Sequence, residues 1–172
     1  MERMRIEGIK LGGELVAVTF RNLSNVEDHI SRFCQILAKN QINLIFLSSS
    51  NTGENAQVTF CVAIEDQVQV KALIADEPGL APHVEFISSV GLLSIFHHQF
   101  SLKMLGLILN IFGKMHLPLY GFASSLSTLT FITDYDQLDR AVKTIQKNLA
   151  VSSDQIYLKP ETRVIQSREV KE

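Results

Sequence analysis

Few residues of this chain carry reactive side chains, and their spacing is poor for chemistry. The most metal-like pair is His97-His98. Neighbouring side chains on a strand point to opposite faces, so the two cannot easily share one ion. No nearby Cys or carboxylate completes a ligand set. The pair is therefore expected at the surface or in a loop. His29 and His116 stand alone beside the ends of expected helices, where a dipole or packing role fits better than catalysis. Ser48-Ser49-Ser50 and Ser124-Ser125 lack the strand–turn–helix context of a nucleophile elbow and read as turn residues or ligand contacts. Cys34 falls in a helical stripe and Cys61 in a strand, without metal-type spacing, so both are expected to be buried, reduced thiols. Asp134, Asp136 and Asp139 read as residues at a helix start, and no glycine loop is present to cradle a phosphate. The expectation is a non-enzyme with no catalytic residue, no metal and no cofactor.

Composition narrows the class further. The chain has 172 residues, 46% hydrophobic and 20% charged, with a net charge of −2. That is the balance of a folded domain or two small ones. The basic residues are scattered singly, which gives no electrostatic footprint for nucleic acid. The N-terminus MERMRIEGIK is charged and has no apolar segment of the secretory kind. The most apolar run, Leu102 to Phe112, is about half the roughly 20 residues that a bilayer span needs. No membrane partner and a cytoplasmic location are expected.

The chain is organised around a stretch that occurs twice. Ile30 to Ser49 (ISRFCQILAKNQINLIFLSS) aligns without a gap with Leu105 to Ser124 (LGLILNIFGKMHLPLYGFAS), about 75 positions later. Each is an amphipathic helix running into a buried strand, and each is followed by a strand reading VTF (58–60) or LTF (129–131). A period this long, present twice, implies two copies of one small domain.

The elements that would position these residues follow from periodicity. Leu15 to Phe20 reads as a central strand. Asn25 reads as an N-cap, with Asp28 completing a capping-box-like arrangement. Ile30, Phe33, Cys34 and Leu37 then form one helical face. Ile42 to Leu47 reads as a strand apolar on both faces, Ser48 to Asn55 as a turn, and Gln57 to Ile64 as the returning strand. A helix carrying Val70, Leu73 and Ile74 follows. His83 to Ile87 and Val90 to Phe96 read as two strands parted by Ser88-Ser89. In the second copy the helix from about Ser101 carries two stripes: Leu105, Ile108, Leu109 and Phe112, and Met104, Leu107, Ile111 and Met115. The second stripe would leave several apolar side chains in water, at about 1.5–3 kcal/mol each, unless a surface of this chain or another subunit covers it. Strands at Pro118 to Ala123 and Ser127 to Thr133, a helix through Leu138, Ala141, Val142, Ile145 and Leu149, and a closing strand at Ile156 to Leu158 complete the copy. Each copy thus reads β-α-β-β-α-β, an α+β, ferredoxin-like order. The expected domains are residues 1–87 and 88–158, with a charged tail at 159–172.

This duplicated order resembles the ACT domain family of small-molecule-binding regulatory modules, and more narrowly the tandem ACT region at the C-terminus of aspartokinases. The residues that carry the resemblance are Ile6-Glu7-Gly8-Ile9 before GELVAVTF, the AKNQINLIFLSS junction, GENAQVTFCVAI, HVEFISSVGLLSIF and STLTFITDYDQLDRAVKTIQKNL. The resemblance implies a non-catalytic regulatory module sensing a small amino acid of the lysine, threonine or methionine class. The ligand would lie between a helix-start loop and the second strand of a neighbouring copy. Asn25, Asp28 and His29 would form its polar end, with Ser49 and the Leu119 backbone opposite. The amide of the family pattern is Asn25, but Glu27 and Asp28 stand where its Pro-Gly would fall, and Leu102 and Lys103 stand there in the second copy. The Asn that opens the second strand is Asn43 in the first copy and is replaced by Pro118 in the second. Any ligand is therefore expected in the first copy, and Asp28 would favour one with a basic end. The alternative is a ligand-free dimerisation or protein-interaction module that kept the fold. Either way a homodimer is expected.

Overall fold

The computed structural model describes residues 4–22, 25–50, 56–77, 84–97 and 102–151. Nine strands and four helices alternate through these residues: β1 Arg5–Ile6, β2 Gly8–Leu11, β3 Leu15–Arg21, α1 Val26–Lys39, β4 Phe46–Ser50, β5 Gln57–Ala63, α2 Gln67–Ala75, β6 Val84–Phe96, α3 Leu102–Lys114, β7 Gly121–Ser124, β8 Thr128–Asp134, α4 Leu138–Asn148 and β9 Ala150–Val151. They form two compact units. One runs from Val16 to Ile87, and the other joins the N-terminal residues up to Leu15 with the chain from Ser88 onward. Each has its own hydrophobic core, as a domain must.

In the first unit the strand order is β4-β5-β3-β6. Numbered along its own β-α-β-β-α-β path this is 2-3-1-4, the ferredoxin-like arrangement, and α+β is the class observed. Alternation explains the core. Val16, Val18 and Phe20 of β3 and Val58, Phe60 and Val62 of β5 pack with Val26, Phe33 and Leu37 of α1 and Val70 and Ile74 of α2. Phe20, Phe33 and Phe60 form an aromatic trio. Phe33 lies 4.7 Å from Phe60, and Phe20 meets Phe33 edge-on at 5.6 Å.

In the second unit the order is β7-β8-β6, with β2 on the far side of β6. The fourth-strand position is thus filled from the chain's N-terminus, with Gly8 opposite Phe96 and Leu11 opposite Leu93. The C-terminal residues Ala150–Val151 instead pair in parallel with Arg5–Ile6. Ile6, Ile9 and Leu11 are buried in the second unit's core, and each contributes about 1.5–3 kcal/mol there. That burial is why residues 4–15 pack with the later chain, whereas contiguous halves at 1–87 and 88–158 were expected. The expected strand at 156–158 and the tail at 159–172 lie outside the described residues.

Other boundaries also moved. The first-copy strand is Phe46–Ser50, because Phe46 pairs with Cys61 and Ser50 with Gln57; the serines expected in a turn are ladder residues. Residues 84–96 form one strand, with Ser89 accommodated at a φ of 58°. His97 is not at the surface: directly after β6, it is buried at 1% exposure, with its backbone N–H donated to the Ser127 carbonyl at 3.0 Å. β6 is flanked by β2 and β8, which cover its end. His98 lies outside the described residues. The doubled apolar face of α3 is used within the chain. Met104, Ile108, Ile111 and Phe112 are buried, while Leu105, Leu107, Leu109 and Met115 pack partly buried against the same core.

The duplication reaches into backbone geometry. α1 ends with the Gln41 N–H donated to the Ala38 carbonyl and the Ile42 N–H to the Leu37 carbonyl, each at 3.0 Å, with Gln41 at a φ of 57°. α3 ends in the same way: the His116 N–H reaches the Gly113 carbonyl at 3.1 Å, the Leu117 N–H reaches the Phe112 carbonyl at 3.0 Å, and His116 has a φ of 53°. Both are Schellman caps closed by a left-handed residue that is not glycine. The strands of the two units share a second device. The Thr19 and Thr59 hydroxyls are 3.0 Å apart across β3 and β5, and those of Ser94 and Thr130 are 3.1 Å apart across β6 and β8.

Candidate functional site

The candidate site of the first unit begins at the start of α1. Asn25 is the N-cap, but it adopts the left-handed conformation (φ 52°, ψ 55°) and its side chain makes no capping hydrogen bond. The expected capping box is therefore not formed. Asn tolerates this conformation better than most residues, and the turn is closed by backbone instead. The Asp28 and His29 N–H groups donate to the Asn25 carbonyl at 3.1 and 3.2 Å. Glu27 and Asp28 complement the helix dipole in the first turn. Asn25 and Asp28 are exposed, whereas His29 is half-buried.

One turn further along, α1 and the sheet leave a pocket between them. Its walls are His29, Ile30, Phe33 and Cys34 of α1, Phe20 of β3, Leu44, Leu47 of the edge strand β4, and Val58 and Phe60 of β5. Its cavity volume is about 10 Å³, room for about one water; the wider space of about 300 Å³ includes open solvent. Register brings Ser49 alongside: Leu47 pairs with Phe60 and Ser49 with Val58, so both point to the face of the sheet that carries the helices. Ser49 is exposed on that edge.

Of the five residues proposed from the sequence, Asn25, Asp28 and His29 share the first turns of α1, and Ser49 lies on the adjoining edge strand of the same unit. Leu119 belongs to the second unit, exposed ahead of β7. Beside it, the Pro118 carbonyl accepts the Thr133 hydroxyl at 2.6 Å. The apolar walls, above all Phe20, Phe33, Cys34 and Phe60, were read from sequence only as core.

A signal for them does exist in the repeat. At the gapless spacing, His29, Cys34 and Leu47 correspond to Met104, Leu109 and Phe122. In the second unit Met104 is buried at 3% exposure, Leu109 packs against the core, and Phe122 stacks on Phe131 with ring centroids 6.2 Å apart. The second copy thus carries the larger side chain at the positions of Cys34 and Leu47, whereas the first carries the larger one at Phe33, which corresponds to Ile108.

The chemistry on offer is binding. Burial pushes the Cys61 thiol up to about 12, which keeps it protonated and inert as a nucleophile. Tyr120 is also raised, first by burial and then by its 2.8 Å hydrogen bond to Asp134. Among the described residues no group of three or more His, Cys, Asp or Glu side chains could hold a metal ion. No described helix is long and apolar enough to cross a membrane.

No protein-family profile matches the chain, and no curated protein matches its sequence. Solved structures do match. The regulatory subunit of aspartate kinase from Thermus thermophilus, in ligand-free form, aligns at 12% identity with a TM-score of 0.70, covering 83% of this chain and 97% of that one. A structure of aspartokinase alpha and beta subunits aligns at 13% identity with a TM-score of 0.72 and the same coverages. Escherichia coli aspartokinase III in complex with lysine and aspartate aligns at 15% identity with a TM-score of 0.64, covering 87% of this chain but 34% of that enzyme. The tandem ACT-like fold expected from the sequence is therefore the fold observed, and it is the fold of the regulatory part of aspartate kinases.

Proposed function

We propose that this chain is a regulatory module that senses a small amino acid, and that its first unit holds the ligand. One observation carries the reading. The first unit has a small apolar pocket between α1 and β4 that opens beside the start of α1. The polar residues anticipated for ligand, Asn25, Asp28, His29 and Ser49, belong to the two elements bordering that pocket. The aspartate-kinase fold supports a regulatory role, and the lysine complex of the E. coli enzyme supports an amino acid as ligand class.

The reading of a ligand-free interaction module rests on the absent Pro-Gly and on the doubled apolar face of α3; that face is largely spent on the chain's own core. A homodimer would instead use the exposed edges, where Ile45 and Leu47 flank or lie in β4 and Leu119 and Phe122 flank or lie in β7. Sedimentation at micromolar concentration tests it, and a stable monomer removes the dimer.

A thermal-shift screen against the twenty amino acids tests the sensor reading. At least one should raise the melting temperature at millimolar concentration, because a ligand that binds only the folded state stabilises it by mass action. The shift should fall in the Asn25→Ala, Asp28→Ala double variant. No shift with any amino acid refutes the reading.

A further inference from the structure

We propose that copies of this chain associate through their helix layers, the acidic layer of the first unit on one copy meeting the basic layer of the second unit on another. Charge carries the argument. In the first unit, α1 and residues 64–77 hold six acidic side chains, Glu27, Asp28, Glu65, Asp66, Asp76 and Glu77. Against them stand three basic ones, Arg32, Lys39 and Lys71. Arg32 is already bonded to Glu77 at 2.8 Å, and the Lys71 ammonium stands 5.1 Å from the centre of the Phe86 ring. In the second unit, α3 and residues 135–148 reverse the balance, with Lys103, Lys114, Arg140, Lys143 and Lys147 against Asp136 and Asp139. All seven of these side chains are exposed, as are Glu27, Asp28, Glu65 and Asp76 in the first unit.

One layer thus carries three net negative charges and the other three net positive, in a chain whose total is −2. The segregation follows the two cores, since α1 and α2 cover one and α3 and α4 the other. Layers of one sign repel their own kind, so unlike layers are the pair that association selects. Each layer also holds a large apolar side chain in water, Val68 at 81% exposure on α2 and Leu102 at 76% on α3. Exposed charge pairs are weak singly and screened by salt, so the contact is a low-affinity one that strengthens as ionic strength falls. Pairing through strand edges would behave differently. Residues 40–53 and 117–133, which contain β4 and β7, carry no charged side chain, so an edge-to-edge contact is nearly indifferent to salt.

Sedimentation velocity on the full chain, over a range of protein concentrations and of sodium chloride, tests this. Wild type should self-associate at about 0.02 M salt, and its dissociation constant should rise at least tenfold by about 0.5 M, where the Debye length has shortened severalfold. Two double variants then reverse one layer each: Glu65→Lys with Asp76→Lys makes both layers basic, and Lys103→Glu with Lys143→Glu makes both acidic. All four side chains are exposed, so both variants should melt near wild type. Each alone should associate at least tenfold more weakly than wild type at low salt. An equimolar mixture of the two should associate again, to within about threefold of wild type, because every contact then joins opposite signs. Wild type that stays monomeric at low salt overturns the proposal. Association indifferent to salt overturns it in favour of the strand edges, and a mixture no stronger than its components overturns it in favour of some other charged surface. Should either variant fail to fold, the salt series on wild type still decides.

Discussion

Replacing Gln41 or His116 with glycine should stabilise this protein. Each closes a Schellman cap in the left-handed region, at φ 57° and 53°. That conformation costs an L-residue about 1–2 kcal/mol relative to its right-handed alternative and costs glycine almost nothing. Glycine gives part of this back, because it frees the unfolded chain by about 0.4–1 kcal/mol. The net expectation is about 0.5–1 kcal/mol of added stability per site. Both side chains are exposed, so no packing is lost. The backbone bonds from Gln41 to Ala38 and from His116 to Gly113 are untouched by either change. The sites belong to separate units with separate cores, so the two effects should add. Urea melts of each single variant and the double measure this directly, and a Gln41→Val control, β-branched in the same conformation, should lose stability. Destabilisation by glycine at either site would refute the cap assignment, and with it the claim that the repeat extends to backbone geometry.

Other parts of the account are equally open to measurement. A Cβ on Gly91 would stand 2.5 Å from Leu138 Cδ1 and 3.1 Å from Tyr135 Cδ2, so Gly91→Ala should cost about 1–3 kcal/mol in a denaturant melt. Thr19→Val strands the buried Thr59 hydroxyl and should cost about 1–3 kcal/mol, whereas adding Thr59→Val should restore much of it; a double-mutant cycle reads the coupling. Cys61 is protonated in the folded state up to about pH 12 but ionises near pH 9 when unfolded. Its contribution is therefore complete below pH 9 and is lost as pH rises between these values, at about 1.4 kcal/mol per pH unit. Cys61→Ala should accordingly show a shallower alkaline loss of stability than wild type in melts from pH 8 to 11.

The duplication and the β-α-β-β-α-β order were legible because they are written in periodicity: the Ile30, Phe33, Leu37 face and the alternation of Val58, Phe60 and Val62 admit few other readings. The fourth strand of the second unit was not legible. Residues 8–11 and the C-terminal residues are both plausible partners for β6, and only the burial of Ile9 and Leu11 against Ile95 and Leu93 decides between them. The β4 boundary was misplaced because an edge strand tolerates polar residues, so Ser48 to Ser50 read as a turn. Neither stripe of α3 was right alone, since Met104, Ile108, Ile111 and Phe112 draw on both. At the site, His29 and Ser49 were found through the family pattern, while Cys34 and the Phe trio read as ordinary core, which the trio also is.

The central claim is that the first unit alone holds an amino-acid ligand beneath α1. Titrating the ¹⁵N-labelled protein with each of the twenty amino acids and following every backbone amide tests it most directly. The account predicts saturable shifts centred on His29, Ile30, Phe33, Cys34, Leu47 and Val58, with the counterparts Met104, Leu109 and Phe122 unmoved. Shifts centred on residues 102–134, or a spectrum indifferent to every amino acid, would contradict it.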